Sequence, residues 1–243
     1  MLAYHRVGAR TPSPVDLGTD PFRRQMEHVS STAASLDDAL VALAAPTERA
    51  TFGAAPVVVT FDDGTKDFVE VALPILVEFS IPVVLYLSTA NVDSGDPYPH
   101  AGQPISWSEV RDCLSTGIVE IGAHTHDHVL LDRCSESEAL NQLTRCDERI
   151  EDELGVTPRH FAYPKAVAPS RAVDRLVRAR YESAAVAGTR PNTSHTDRYS
   201  LHRSPIQNAD GWDGFVRKAS GGMRVEDDLR RVINLVRYRS KTT

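Results

Sequence analysis

Residues 56–64 read PVVVTFDDG, an apolar run that ends in two acids and a glycine. β-Branched residues fill the run and Pro and Gly bound it, which is typical of a short buried strand. Other runs of this kind are residues 81–88, 117–124, 159–164 and 182–188, with residues 199–206 as one further candidate. Helical patterns lie between them, and residues 11–20, 45–56 and 91–104, which are rich in Pro, Gly and small polar residues, are predicted to be loops. This alternation predicts a parallel sheet with crossover helices, either a barrel or an open doubly wound sheet.

Capping residues indicate where several helices begin and end. Serines are predicted to cap three helices: Ser106, Ser135 and Ser170. Ser135 and Glu138 fit a capping box, and Gly155 is expected to end that helix. Another helix should follow Gly64, and a basic, solvated one is expected near residues 225–238.

Length and charge exclude several classes of protein. The chain has 243 residues and a net charge of −6, which argues against a general nucleic-acid binder. No stretch approaches the roughly 18 apolar residues of a membrane span. We therefore predict one catalytic domain over residues 1–243, with residues 207–243 as a C-terminal helical extension.

The cysteines and the first residues suggest a compartment. Cys113, Cys134 and Cys146 form no C-x-x-C pair, so neither a disulfide framework nor a thiolate zinc site is expected. Free thiols suit a reducing environment. The chain opens with MLAYHRVGAR, which has no apolar signal-peptide core. A cytoplasmic protein is the expectation.

Polar side chains gather after the predicted strands, where barrels and open α/β sheets carry their chemistry. They are Asp62, Asp63, His124, His126, His128, Lys165, His202 and Arg203. The side chains of adjacent Asp62 and Asp63 diverge on an extended backbone, so that one could bind a metal and the other accept a proton. The alternative is that one of them caps the next helix.

The segment HTHDH, residues 124–128, is a candidate metal-binding cluster. Neutral imidazole is a common zinc ligand, and two histidines with one carboxylate leave coordination positions open. The spacing suits His124 and His128, but His126 is also available, and the sequence does not select two of the three. A polar loop with surface histidines is the alternative.

TFDDG (residues 60–64) and GAHTHDH (residues 122–128) together resemble the first two motifs of the polysaccharide deacetylases. This is carbohydrate esterase family 4, the NodB-homology domain. LAYHRVG at residues 2–8 and FAYPKA at residues 161–166 are also similar to it. The resemblance implies a distorted (β/α)7-type barrel. It also implies metal-dependent hydrolysis of N-acetyl groups, mostly on N-acetylglucosamine units.

The resemblance assigns roles by motif position. Asp63, His124 and His128 would bind one divalent metal, with Zn²⁺ expected and Co²⁺, Ni²⁺ or Fe²⁺ also compatible. Asp62 would be the general base. His202 is the candidate general acid, with a strand-end histidine of no catalytic part as its alternative. His5 could line the floor of the pocket or be a hydrogen-bonded core residue.

The third motif departs from the family pattern. It often reads R-x-P followed by an aromatic residue, whereas this chain has Ala162, Tyr163, Pro164 and Lys165. The backbone N–H of Lys165 would stabilise the oxyanion, and Tyr163 would lie at the substrate. Arg159 would be the residue that replaces the missing arginine beside the base.

Three functions remain open at this point. The first is an N-deacetylase of an acetylated amino sugar. The second is a metal-dependent hydrolase of a small, non-polymeric amide, favoured by the altered third motif. The third is a barrel that binds glycan without turnover, although such a binder has no need of Asp62.

Overall fold

The computed structural model describes residues 1–44 and 55–222. Its strands are β1 (Leu2–Tyr4), β2 (Arg6–Val7), β3 (Asp16–Leu17), β4 (Val59–Phe61), β5 (Val83–Leu87), β6 (Val119–Ala123), β7 (His160–Ala162), β8 (Ser183–Ala187) and β9 (Leu201–Pro205). Within these residues β2 and β3 form a small separate sheet, and the other seven strands close into a barrel in chain order. Closure comes from β1, which pairs in parallel with both β4 and β9. The distorted (β/α)7-type barrel is confirmed, and the open sheet is excluded.

Helices surround the barrel. Those of the described residues are α1 (Thr19–Val29), α2 (Leu36–Ala44), α3 (Leu73–Glu78), α4 (Thr89–Ser94), α5 (Trp107–Ser115), α6 (Glu136–Leu154), α7 (Arg171–Arg180) and α8 (Gly211–Ala219). None of these ranges holds a helix both long and apolar enough to cross a bilayer. The helix expected after Gly64 begins as a π-helical turn at Phe68–Ala72, and Pro74 falls in the first turn of α3, where its missing N–H costs little.

The predicted helix caps are confirmed. The side chains of Ser106 and Ser135 each form a complete capping box with a glutamate three residues later. The Ser170 hydroxyl accepts the N–H of Val173. Gly155 ends α6 with a φ of 67°, a left-handed conformation that costs glycine little.

The sequence interpretation assigned no helix to the stretches that form α1, α2 and α4. Helix α1 starts inside a segment read as a loop, residues 11–20, and its N-cap is Gly18, which provides no side-chain cap. Its buried face consists of Phe22, Gln25, Met26 and Val29, at helical spacing. Without a capping residue, only this short apolar stripe marks the helix.

Two apolar layers make up the core. Side chains that point out of the barrel, such as Phe61 and Phe161, pack under the helices. Those that point inward form a smaller cluster with Leu36 and Ala39 of α2, so α2 covers the N-terminal end of the barrel. Tyr86 fills much of the interior, since a Cβ on its strand partner Gly122 would lie 2.4 Å from the tyrosine ring.

The C-terminal extension is described only as far as residue 222. There α8 packs on α1, with the rings of Trp212 and Phe215 centred 5.3 and 5.8 Å from that of His28. The helix expected near residues 225–238 and most of the loop expected at residues 45–56 lie outside the described residues. The single-domain division over residues 1–243 therefore stays a prediction.

Candidate active site

The turn after β4 separates two neighbouring carboxylates. Asp62 is buried and points into the barrel, whereas Asp63 adopts a left-handed conformation with a φ of 75° that turns its side chain elsewhere. Gly64 follows with a φ of 93°, and a Cβ there would lie 2.6 Å from Leu87. Only glycine fits at position 64. The tight turn that this glycine allows is what directs the side chains of Asp62 and Asp63 to different sides.

Asp63 meets two histidines from the end of β6. Its Oδ1 atom lies 3.7 Å from Nε2 of His124 and 3.3 Å from Nε2 of His128. The three ligand atoms all lie within 4.8 Å of one another. These are the three residues that the sequence interpretation assigned to a metal.

The donors of this cluster fit a divalent metal. Nδ1 of His124 donates a hydrogen bond to the carbonyl of Ala162 at 2.6 Å, which leaves the Nε2 lone pair facing Asp63. Backbone hydrogen bonds of this kind orient the histidines of metal sites. Oδ1 of Asp63 is buried without a hydrogen-bond partner among the described residues. One carboxylate and two imidazoles with open positions is a ligand set of catalytic zinc sites.

His126, the third candidate, has both ring nitrogens engaged elsewhere. An Arg145 N–H donates to its Nε2 at 2.6 Å, so the ring proton is on Nδ1 and bonds the Thr89 hydroxyl at 2.7 Å. Its lone pair is therefore not available to a metal. The geometry selects His124 and His128, the choice that the sequence spacing alone left open.

The protonation equilibria follow from these contacts. Burial lowers the pKa of His124 to about 4, so this imidazole is neutral near pH 7. Burial by itself would raise the pKa of Asp63, but the imidazoles of His128, His5 and His124 beside it hold that pKa well below its usual range. Burial also lowers the pKa of His128, but Asp63 outweighs this effect and raises it.

Asp62 forms a buried ion pair with Arg203 of β9. Nη1 and Nη2 of Arg203 lie 2.5 and 2.9 Å from the two carboxylate oxygens, and Nη1 also donates to the hydroxyl of Thr60 at 3.0 Å. Arg203 is only 1% exposed and lies over the ring of Tyr86. Burial alone would raise the pKa of Asp62, but the guanidinium lowers it, so Asp62 is ionised near neutral pH.

His5 lies on the solvent side of the same carboxylate. Its Nε2 atom is 3.9 Å from Oδ2 of Asp62, and its side chain is 28% exposed. Of the two interpretations left open, the structure supports the pocket-lining one. The Asp62 carboxylate therefore lies between the buried guanidinium of Arg203, inside the barrel, and the partly exposed imidazole of His5.

A family model described as polysaccharide deacetylase matches residues 49–184, more than half of the chain. The chain belongs to the polysaccharide deacetylase family. Its resemblance in sequence is thereby confirmed, and Asp62, Asp63, His124 and His128 all fall within the matched range, whereas His5 and Arg203 lie outside it.

Two solved structures have a fold similar to that of this chain. IcaB from Ammonifex degensii superposes with a TM-score of 0.75 at 22% identity, over 90% of this chain and 95% of that one. The Streptococcus pyogenes deacetylase PplD in complex with acetate gives a TM-score of 0.75 at 19% identity, over 90% and 96%.

A curated relative is similar in sequence. Poly-beta-1,6-N-acetyl-D-glucosamine N-deacetylase from Staphylococcus aureus is 25% identical over an alignment of 174 positions, and the match covers 66% of this chain. The match spans 59% of the length of that relative.

Arg159, which was expected beside the predicted general base Asp62, does not reach the active site. It precedes β7 and lies at the N-terminal end of the barrel, paired there with Asp37 of α2 and, at 2.9 Å, with Glu120 of β6. Asp62 follows the C-terminal end of β4. The guanidinium missing from the third motif is supplied instead by Arg203, which pairs with Asp62 and is closed off from solvent.

His202 also lies outside the cluster. Successive side chains of a strand point to opposite faces, and Arg203 points into the barrel, so His202 points outward. Its backbone N–H and carbonyl bond the side chain of Asn192, and its ring lies against Gly188. This position corrects the assignment of His202 as general acid.

The two remaining third-motif residues diverge. The ring of Tyr163 packs outward, 5.0 Å from the ring of Phe161, in the layer under the helices, so it does not face the substrate as expected. Lys165 lies in a left-handed turn with a φ of 51°, and its charge acts on His128. A role of the Lys165 backbone N–H at the oxyanion stays a prediction.

Tyr98 is a site residue that the sequence interpretation missed. Its hydroxyl donates to the carbonyl of Asp63 at 2.6 Å and lies 3.3 Å from that of Ser88. This contact braces the left-handed turn that presents Asp63. Tyr98 belongs to a Pro- and Gly-rich segment read as a loop, and nothing in its local pattern links it to Asp63.

Proposed function

We propose that this chain removes N-acetyl groups from N-acetylglucosamine units of a glycan and that the reaction depends on a divalent metal. The observation that carries the proposal is the position of Asp62, a buried, ionised carboxylate that directly precedes Asp63 of the three-donor cluster and faces a partly exposed histidine. The family match and the amino-sugar polymer in the name of the curated relative support it.

Asp63, His124 and His128 would hold the metal, with Zn²⁺ expected and Co²⁺, Ni²⁺ or Fe²⁺ also compatible with the donors. A divalent metal at such a site lowers the pKa of a coordinated water and polarises a substrate carbonyl. The hydrogen bond from His124 to Ala162 and that from Tyr98 to Asp63 hold two of these ligands in place.

Asp62 would act as the general base. Arg203 occupies one lone pair on each carboxylate oxygen, and a carboxylate has about four such sites, so acceptor capacity remains for a water proton. The same ion pair fixes the plane of the carboxylate. Asp62 would therefore receive the proton of the attacking water without a side-chain rearrangement.

His5 would protonate the leaving amine. It is the partly exposed imidazole that faces Asp62, and an amine leaves only after it gains a proton. Replacing His5 by Gln should reduce acetate release from an N-acetylated sugar by roughly 10²–10⁴-fold. An aryl acetate should be hydrolysed at a rate close to wild type, because a phenolate leaves without protonation.

The control for this prediction is His202→Gln, which changes the outward-facing histidine and should leave both rates unchanged. Metal content of all three proteins would be measured alongside the rates. Equal losses on the amide and the aryl ester in His5→Gln, or a large loss in His202→Gln, would contradict the assignment of His5.

Substrate size separates the proposal from the small-amide alternative. The experiment compares acetate release from N-acetylglucosamine oligomers of increasing length, in the β-1,6-linked and β-1,4-linked forms, with hydrolysis of a panel of small amides. We expect turnover that rises with oligomer length. Turnover of a small amide with none of any oligomer would overturn the glycan proposal. Metal binding with no turnover of any substrate would support the glycan-binding barrel.

The cytoplasmic location expected from the sequence stays a prediction.

A further inference from the structure

A second group of metal-ligand side chains lies at the opposite end of the barrel. It consists of Asp37 on α2, Glu120 on β6 and His160 at the start of β7. Nε2 of His160 is 3.3 Å from Oδ1 of Asp37 and 3.4 Å from Oε1 of Glu120. Nothing in the proposed deacetylation uses these residues.

The buried imidazole points into this group without a hydrogen-bond partner. The His160 side chain is 0% exposed, and its Nε2 atom has no hydrogen-bond partner among the described residues. Nδ1 lies 2.9 Å from the hydroxyl of Ser183, which fixes the plane of the ring. A buried nitrogen left without a partner is costly, so its direction towards two carboxylate oxygens calls for a cation or proton between them.

The distances suit a tetrahedral metal. Bonds of about 2.0–2.1 Å from Zn²⁺ to nitrogen and oxygen place neighbouring ligand atoms roughly 3.3–3.4 Å apart in a tetrahedron. The two separations from His160 Nε2 fall in this range. The Asp63 cluster, at 3.3 and 3.7 Å, has similar spacing.

The charge around the group is unbalanced towards the negative. Arg159 is shared by three carboxylates: it pairs with Asp37 and Glu120 and lies 3.6 Å from Glu182. It contacts Oδ2 of Asp37, whereas Oδ1 of Asp37 faces His160. A metal could thus bind Asp37 without removing Arg159 from it, but the two cations would compete for Oε1 of Glu120.

We propose that Asp37, Glu120 and His160 form a second divalent-cation site, selective for a borderline metal such as Zn²⁺, for which Arg159 is a built-in competitor. Asp37 and Glu120 are 46% and 29% exposed, so an ion reaches the site from solvent. The bound ion ties α2, which covers the barrel end, to β6 and β7. Its role is therefore structural and separate from deacetylation.

The test counts metal ions on the full chain. Wild type should bind two equivalents of Zn²⁺ in calorimetry, and the variant Asp63→Asn/His128→Gln, which lacks the first site, should retain one. Adding Asp37→Asn to that variant should remove the remaining equivalent. Asp37 is half exposed, so this change is compatible with folding. His160→Gln should also remove the remaining equivalent, but His160 is buried, and Asp37→Asn provides the test if His160→Gln fails to fold.

Arg159→Gln separates a metal site from an ion-pair network. Removing the competing charge in the Asp63→Asn/His128→Gln background should tighten Zn²⁺ binding by roughly tenfold or more and increase the rise in Tm on adding Zn²⁺. Arg10→Gln, which removes an exposed arginine that pairs with Glu70, is the matched control and should change neither value. No Zn²⁺ binding in that background, with or without Arg159, would mean a closed ion-pair network only and would overturn the proposal.

Discussion

Asp62→Asn should lower acetate release by about 10²–10⁴-fold, because an amide cannot accept the proton of the attacking water. Asn keeps the shape of the side chain and can still accept hydrogen bonds from Arg203 through its one carbonyl oxygen. The proposed metal ligands include Asp63 and not Asp62, so the metal content should stay at the wild-type value. The loss should thus appear in kcat.

Metal content and turnover of Asp62→Asn should be measured on the same preparation. Asp112→Asn, which changes an exposed acid on α5, is the matched control and should leave both at wild type. An Asp62→Asn protein with turnover within tenfold of wild type would show that another group accepts the proton. Loss of metal together with activity would instead make Asp62 a ligand.

Arg203→Met should be the most destabilising single change at the site. It leaves a buried carboxylate without its partner, and breaking one member of a buried ion pair typically lowers the free energy of unfolding by about 3–5 kcal/mol. Asp62→Asn/Arg203→Met removes both charges and should recover much of that loss. Arg203→Lys keeps the charge but loses the two-pronged contact, so it should fall between wild type and Arg203→Met.

The pH profile separates a positioning role of Arg203 from a purely structural one. Arg203 lowers the pKa of Asp62, so the pair adds stability that is present above the ordinary carboxyl pKa of about 4 and is lost as the pH falls through the lowered value. Without the guanidinium, burial raises this pKa. The acid limb of kcat/KM in Arg203→Met should therefore move to higher pH, and an unmoved limb would contradict the role.

The sequence predicts the carboxyl-end cluster well because its residues lie in short, ordered motifs. Asp62, Asp63 and Gly64 directly follow a buried strand, and the turn that separates the acids depends on a glycine that is visible in the sequence. His124 and His128 follow β6 in the same way. The resemblance already assigned the metal to these two histidines and not to His126. The physical reason is a contact between His126 and Arg145, 19 residues away on α6, which local spacing does not reveal.

The sequence misplaced Arg159 and His202 because their positions depend on where a strand begins and on which face of it a side chain lies. Arg159 lies just before the first residue of β7, and a shift of a few residues in that boundary separates the two ends of the barrel. His202 and Arg203 are neighbours on β9, so a choice of face decides which one reaches Asp62. Both faces of β9 carry polar residues, so the hydrophobic pattern does not fix that choice.

The central claim is that Asp63, His124 and His128 hold a metal that the reaction of Asp62 and His5 requires. The most direct measurement is acetate release from an N-acetylglucosamine oligomer by chelated wild type as Zn²⁺ or Co²⁺ is returned. We predict loss of release on chelation and recovery as metal is added, with no recovery in Asp63→Asn/His128→Gln. Full release by the metal-free protein, or recovery in that double variant, would contradict the account.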